Sequence, residues 1–274
     1  MCIFRFFAVP SPKICKMKKK LTIIKVGGKI VETPESLNRL IADFAHIEGL
    51  KMLVHGGGRS ATKLAARLGI ETQMVNGRRI TDDDMLSVVT MVYGGLVNKQ
   101  IVAKLQAAGV DAVGLTGADM NIVRSDRRPV VDVDYGWVGD VKEVDSKALS
   151  TLLDSGYCPV VAPLTHDRKG NILNTNADTM AGSVAQAMAD IYDVTLVFCF
   201  EHPGVLADGN DDASVIPVIT PDLYETLKSD GTVSGGMIPK LDNAFSCIRG
   251  GVCRVVITRA DMVASNEGTV IKSE

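Results

Sequence analysis

LTIIKVGG (Leu21–Gly28) and LKMLVHGGGRS (Leu50–Ser60) are two short apolar runs that each stop at glycines. Leu21–Val26 and Leu50–Val54 have the length and aliphatic content of buried strands. Between them, Thr33-Pro34-Glu35 has the form of a helix start: a capping hydroxyl, a proline at the first helical position and an acidic first turn. Leu37, Leu40, Ile41 and Phe44 then recur at helical spacing, and Gly49 ends the segment. Strand, helix and strand within about 35 residues make a βαβ unit, hence a parallel pair with a right-handed crossover.

The alternation continues outward. A helix is predicted over Ser60–Leu68, and Thr81 with Asp82, Asp83 and Asp84 reads as the cap of a long helix reaching Ala108. Further strands are predicted at Asp111–Leu115, Cys158–Pro163, Val194–Phe200 and Arg254–Thr258. Further helices are predicted at Ser146–Ser155, Ala177–Met188, Pro221–Leu227 and Met237–Arg249. Asn121–Val144 alternates apolar and polar residues around turn signals and reads as hairpins, while His166–Asn171 reads as a turn. There is no internal repeat and no low-complexity linker. The pattern predicts an α/β fold, a three-layer αβα sandwich with an open, mainly parallel central sheet. Ligands then belong at the carboxyl ends of the strands.

Composition excludes other classes. With 46% hydrophobic and 23% charged residues, the 274-residue chain can bury a full core. A net charge of −2 argues against an extended nucleic-acid surface. The longest uncharged stretch, Met85–Asn98, falls short of the roughly 18 residues a membrane helix needs. No C-x-x-C occurs among the six cysteines, and the chain is too large to need disulfide staples, so a reducing, cytoplasmic setting is expected. The four histidines fit no metal-binding spacing. In MCIFRFFAVPSPKICK (Met1–Lys16) the apolar run is short and interrupted by Pro10 and Pro12, so residues 1–17 are expected to be a disordered extension, with Met17 an alternative start.

Several residues carry a chemical reading beside a plain one. The two glycine turns can cradle an anion on bare N–H groups, or simply turn the chain. Neither fits G-x-G-x-x-G as usually spaced, and no P-loop motif occurs, which disfavours dehydrogenases and P-loop NTPases. Lys25 interrupts an apolar strand and is either a buried, paired ammonium or a solvated edge residue. Lys240 follows Gly235-Gly236 at a helix start, as either an active-site cation or a surface lysine. Asn174-Thr175-Asn176-Ala177-Asp178 places two amides and a carboxylate at a helix boundary, where one of them caps. Asn76-Gly77-Arg78-Arg79 is a turn whose arginines are either functional or solvated.

Together these motifs resemble the amino-acid kinase family, and within it the branch acting on acylated glutamate. The match runs from Ile23-Ile24-Lys25-Val26-Gly27-Gly28 through His55-Gly56-Gly57-Gly58, Asn76-Gly77-Arg78-Arg79-Ile80-Thr81 and Asn174–Asp178 to Gly236-Met237-Ile238-Pro239-Lys240 and Gly268-Thr269-Val270-Ile271. One departure stands out. Where the family carries a Ser/Thr-Asp pair after the later strand, this chain has Phe200-Glu201.

The resemblance implies transfer of the γ-phosphoryl group of ATP, with Mg²⁺, to the side-chain carboxylate of an N-acyl-L-glutamate in arginine biosynthesis. A carboxylate is already ionised at neutral pH, so the need is for positive charge and positioning, not a base. By resemblance, Lys25 and Lys240 supply charge, Asp178 orients them, and Gly28, Gly57 and Gly58 hold oxygens through backbone N–H groups. Arg79 and Asn174 bind the acylglutamate alongside Gly57 and Gly58. Lys25, Gly27, Gly28, Glu201, Gly204, Ser234, Met237 and Lys240 meet ATP. An acylglutamate lobe over 18–190 and an ATP lobe over 191–274 follow. Acetyl is the family's usual acyl group and succinyl a variant. The rivals are carbamate kinase, aspartokinase, glutamate 5-kinase and a catalytically silent small-molecule-binding protein on the same fold. The apolar helix around Gly94-Gly95 implies a homodimer, and the prolines upstream leave no helix of the kind that arginine-inhibited hexamers carry.

Overall fold

The computed structural model describes residues 18–75, 77–265 and 267–273. The expectations for residues 1–17, including the one on arginine inhibition, and for Asn76 lie outside the described residues. An eight-stranded sheet runs through the molecule in the order Val218–Ile219, Thr269–Ile271, Arg254–Arg259, Asp193–Phe200, Lys20–Val26, Leu50–His55, Cys158–Val161, Ala112–Leu115. Neighbours are parallel except Thr269–Ile271, which runs antiparallel to Arg254–Arg259.

The strand Lys20–Val26 is central, and its two faces meet different cores. Leu21 and Ile23 join Met180, Val184 and Leu241 on one side. Ile24 and Val26 join Phe44, Ala61 and Val88 on the other. A strand buried on both faces reads as a continuous apolar run, which is why Leu21–Val26 was conspicuous in the sequence.

Two smaller sheets sit over the carboxyl ends of the main strands. One has four strands, Ile172–Asn174, Leu164–His166, Val123–Arg127 and Gly139–Val144. The expected hairpin in 121–144 is its antiparallel pair Val123–Arg127 and Gly139–Val144. His166–Asn171 turns as expected, but between two three-residue strands too short to leave a periodic signal. The other is the hairpin of Met74–Val75 with Arg78–Arg79.

The long helix Asp83–Ala107 departs from expectation twice. Its cap is Asp82, whose carboxylate accepts from the Met85 amide at 2.8 Å. Thr81, read as part of the cap, is instead fully buried, bonded through its backbone to Tyr135 and Trp137. Both residue types cap well, and tertiary hydrogen bonds decided between them. The stretch Thr90–Val97, spanning Gly94-Gly95, is wound as a π-helix, a form that often marks a functional site. By length and composition this helix could cross a membrane. Here Met85, Val88, Val89, Val92, Ile101 and Leu105 bury it against the core.

Candidate active site

The charged centre follows from strand parity. Side chains alternate along a strand, so Lys25 shares the face of Leu21 and Ile23, which the helix Ala177–Ala189 covers. That helix presents Asp178 in its first turn, and Lys25 Nζ lies 2.7 Å from Asp178 Oδ1. Lys25 is only 6% exposed, so the paired, buried reading holds over the solvated one. Burying an ammonium without a counter-ion would be costly, and Asp178 supplies it. Asn176, not Asp178, caps the helix, accepting from the amides of Asp178 and Thr179 at 2.8 and 3.1 Å.

Lys240, in the first turn of Met237–Arg249, reaches the same point from the other side. Its Nζ stands 3.9 Å from the centroid of the Phe200 ring, and Lys25 Nζ is 5.4 Å from that centroid. Two cations therefore stand over one aromatic ring, an arrangement the ring quadrupole favours. Burial pushes the Lys240 ammonium below its ordinary pKa; Asp178 acts against that push, Lys25 adds to it, and Glu201 opposes it.

Both glycine turns converge beside this pair. The first also runs directly into a short helix, Gly28–Glu32, which the sequence reading did not include. A Cβ on Gly28 would lie 3.6 Å from the Gly58 nitrogen and 3.8 Å from the Gly57 nitrogen, so the two loops touch. Gly28 and Gly58 open helices, and their N–H groups have no acceptor within the helix. A cavity of about 470 Å³ lies here, lined by Lys25, Gly28, Asp178, Glu201, Met237 and Lys240 among others. Gly27 and Gly204 also line it. Ser234 is not among the lining residues; it is exposed, three residues ahead of the helix Met237–Arg249.

A second cavity, about 200 Å³, adjoins the first at Gly58 and is lined by Gly57, Arg79, Tyr93 and Asn174. The hairpin holds Arg79, 9% exposed, against the Gly58 carbonyl and the Thr62 hydroxyl at 2.8 and 2.9 Å. Its other terminal nitrogen donates to Thr72 at 3.3 Å. Asn174 is buried and donates to the Thr81 hydroxyl at 3.0 Å. The π-helix places Tyr93 so closely that a Cβ on Gly57 would stand 2.8 Å from its ring. Burial pushes the Tyr93 hydroxyl above its usual pKa, with the Arg79 charge opposing, so it stays a neutral hydrogen-bonding group.

His55 sets the second loop from behind. Fully buried, its Nδ1 is 2.8 Å from the Gly56 carbonyl and its Nε2 is 3.1 Å from Asn98 Nδ2. Burial lowers its pKa to about 4. The neutral ring then donates from Nδ1 to the carbonyl and accepts at Nε2 from the Asn98 amide. Fixing the Gly56 carbonyl toward His55 turns the next amide, that of Gly57, the opposite way, because a peptide unit is planar and trans.

Sequence reasoning missed Lys29, Arg59, Tyr93 and Phe200. Lys29 and Arg59 each follow a glycine turn directly, a signal that was available. Tyr93 and Phe200 were indistinguishable from core aromatics. The chemistry such a site offers is clear: paired cations and free N–H groups between two cavities, suited to stabilising a transferring polyanion.

The sequence profile of the amino acid kinase family matches residues 20–259. An acetylglutamate kinase of Phocaeicola vulgatus is 66% identical over 256 residues, covering 93% of this chain and 100% of that protein. One from Bacteroides fragilis is 64% identical, covering 94% of this chain and 98% of its own length. A carbamate kinase of Giardia lamblia bound to AMP-PNP superposes with a TM-score of 0.63 at 15% identity, covering 94% of this chain and 99% of its own, a likeness of fold. Sheet order, glycine loops, extent of match and degree of identity agree: the chain belongs to the amino acid kinase family.

Proposed function

We propose that this protein transfers the γ-phosphoryl group of ATP to the γ-carboxylate of an N-acyl-L-glutamate, N-acetylglutamate first, as in arginine biosynthesis. The names of the relatives support it. The observation that carries it is the meeting of Lys25, Lys240 and the Gly28, Gly57 and Gly58 amides where two cavities join. In this reading the smaller cavity takes the acylglutamate and the larger takes ATP, so the acceptor lobe spans 18–190 and the nucleotide lobe 191–274. Lys25 and Lys240 draw charge off the transferring group, Asp178 holds Lys25 in place, and the amides grip its oxygens. Asn174 faces the acylated nitrogen. Gly27, Gly204, Met237 and Glu201 line the nucleotide's wall.

Among the described residues no three His, Cys, Asp or Glu side chains cluster as a metal cage. In this reading Mg²⁺ would arrive with ATP and be held mainly by its phosphates, where it would neutralise charge. The test is an ATP-dependent hydroxamate assay with glutamate, N-acetylglutamate, N-succinylglutamate and carbamate in parallel. Turnover of an acylglutamate alone is the expected result. Turnover of carbamate or of free glutamate overturns the reading, as does no turnover at all.

Arg79 grips the α-carboxylate. Its anchors at Gly58, Thr62 and Thr72 fix the guanidinium plane beside the cavity before substrate arrives. Arg79→Lys keeps the charge and loses the planar fork. The KM for the acylglutamate is expected to rise about tenfold or more while that for ATP stays nearly constant. An equal rise in both would assign Arg79 to folding or closure instead.

The protein is further proposed to be a homodimer. Met91 and Leu96, each 52% exposed, lie on the outer side of the long helix, around the turn that buries Tyr93. Light scattering is expected to give about 58 kDa, twice the 29.2 kDa chain. A mass near one or six chains would contradict it.

A further inference from the structure

Lys29 and Arg59 are the second residues of the two helices that leave the glycine loops. Both side chains turn toward the larger cavity and line it. Both meet one carboxylate there: Lys29 Nζ hydrogen-bonds Glu201 Oε2, and an Arg59 terminal nitrogen lies 3.8 Å from Glu201 Oε1. Glu201 lines the same cavity from just after the strand Asp193–Phe200. The Lys29 hydrogen bond is the main reason its carboxyl sits below the ordinary pKa, against a smaller effect of burial.

We propose that Lys29 and Arg59 are two further phosphate-binding cations of the nucleotide cavity, held on Glu201 until an incoming nucleotide displaces it. The assignment rests on the kinase reading above and adds residues to it. The cavity lining carries four cations, Lys25, Lys29, Arg59 and Lys240, against two carboxylates, Asp178 and Glu201. Asp178 is committed to the buried Lys25. Of the two, Glu201 is the one within ion-pair distance of two cations.

The side chains of Lys29, Arg59 and Glu201 are 53%, 60% and 48% exposed. Half-exposed ion pairs are weak, so phosphates can replace the carboxylate at little cost. A charge-assisted contact from a phosphate to Arg59 or Lys29 is stronger than the pair it replaces, because the polyanion offers several acceptors at once. Glu201 then acts as a positioning residue. It keeps two flexible side chains gathered at the cavity mouth, so less ordering entropy remains to be lost on binding. It also competes with the phosphates for the same donors. Glutamate's extra methylene, relative to aspartate, gives it the reach to do this.

The test is calorimetric titration of the whole protein with Mg-ATP, Mg-ADP and adenosine at low and moderate salt. The double variant Lys29→Met with Arg59→Met is expected to weaken ATP about a hundredfold, tenfold per cation, and to leave adenosine unchanged. Glu201→Gln is expected to tighten ATP about threefold at low salt, again without effect on adenosine, since it removes the competitor. A purely structural role for these surface residues would not sort ATP from adenosine. Circular dichroism melts of the variants should match the parent protein. The proposal is overturned if the double variant binds ATP within twofold of the parent protein. It is equally overturned if Glu201→Gln weakens adenosine, which would place Glu201 on the nucleoside itself. Parent protein that binds neither ATP nor ADP overturns the kinase reading, and this assignment with it.

Discussion

Lys240→Ala is expected to lower kcat by about a hundredfold or more, the scale of losing one preorganised electrostatic stabiliser. The side chain stands in the first turn of its helix over Phe200, and burial already disfavours its charge. An ammonium held in such surroundings gains most when negative charge develops beside it, which happens at the transferring group and not in the resting site. The loss should therefore fall on kcat, with KM for either substrate changing less. Lys25→Ala should cost a similar factor, with an added stability loss from the unpaired Asp178 carboxylate. Steady-state kinetics with a melting curve on each variant decide the matter. A Lys240→Ala enzyme with near-normal kcat would remove that lysine from the reaction.

Acid should weaken the fold through His55. Its imidazole ordinarily titrates at 6.5, and burial lowers this to about 4 in the folded protein. Between those values the unfolded chain binds a proton that the folded chain does not. Stability is therefore full above pH 6.5 and falls as pH drops through the window, levelling off near pH 4. The total is up to about 3 kcal/mol, a large share of an ordinary domain's stability. Its consequence reaches the site, because a protonated ring could no longer accept from Asn98 at Nε2. His55→Gln offers an amide donor and acceptor that do not titrate. Urea unfolding at pH 7, 6 and 5 should show a steep loss for the parent protein and a flatter one for the variant. Equal slopes would mean that the acid sensitivity lies elsewhere.

What the sequence disclosed follows a physical line. Lys25, Asp178 and Lys240 were legible because each breaks a pattern: an ammonium in an apolar strand, a carboxylate beside amides at a helix start, a lysine after paired glycines. The parallel sheet was legible because buried strands must be apolar over their whole length. The two short strands of the small sheet, one of which carries Asn174, were not, since three-residue strands hold less than two full alternations. The choice between Thr81 and Asp82 as cap turned on contacts with Tyr135 and Trp137, more than fifty positions away in sequence. The grouping of Lys29, Arg59 and Glu201 was equally hidden, because an exposed charge does not announce its partner.

The two-faced central strand makes the position of Lys25 a matter of odd and even. Odd positions of Lys20–Val26 face Met180 and Val184, and even ones face Phe44 and Val88. Deleting one residue between Leu21 and Lys25 would swing the ammonium into the aliphatic layer, away from Asp178, and bring Val26 onto the face of the reacting groups. Deleting two would restore the face and shift only the height. Length changes in this strand are thus tolerable in pairs or not at all, since the helix Gly28–Glu32 follows the strand's end directly and leaves no slack there to take up a single residue.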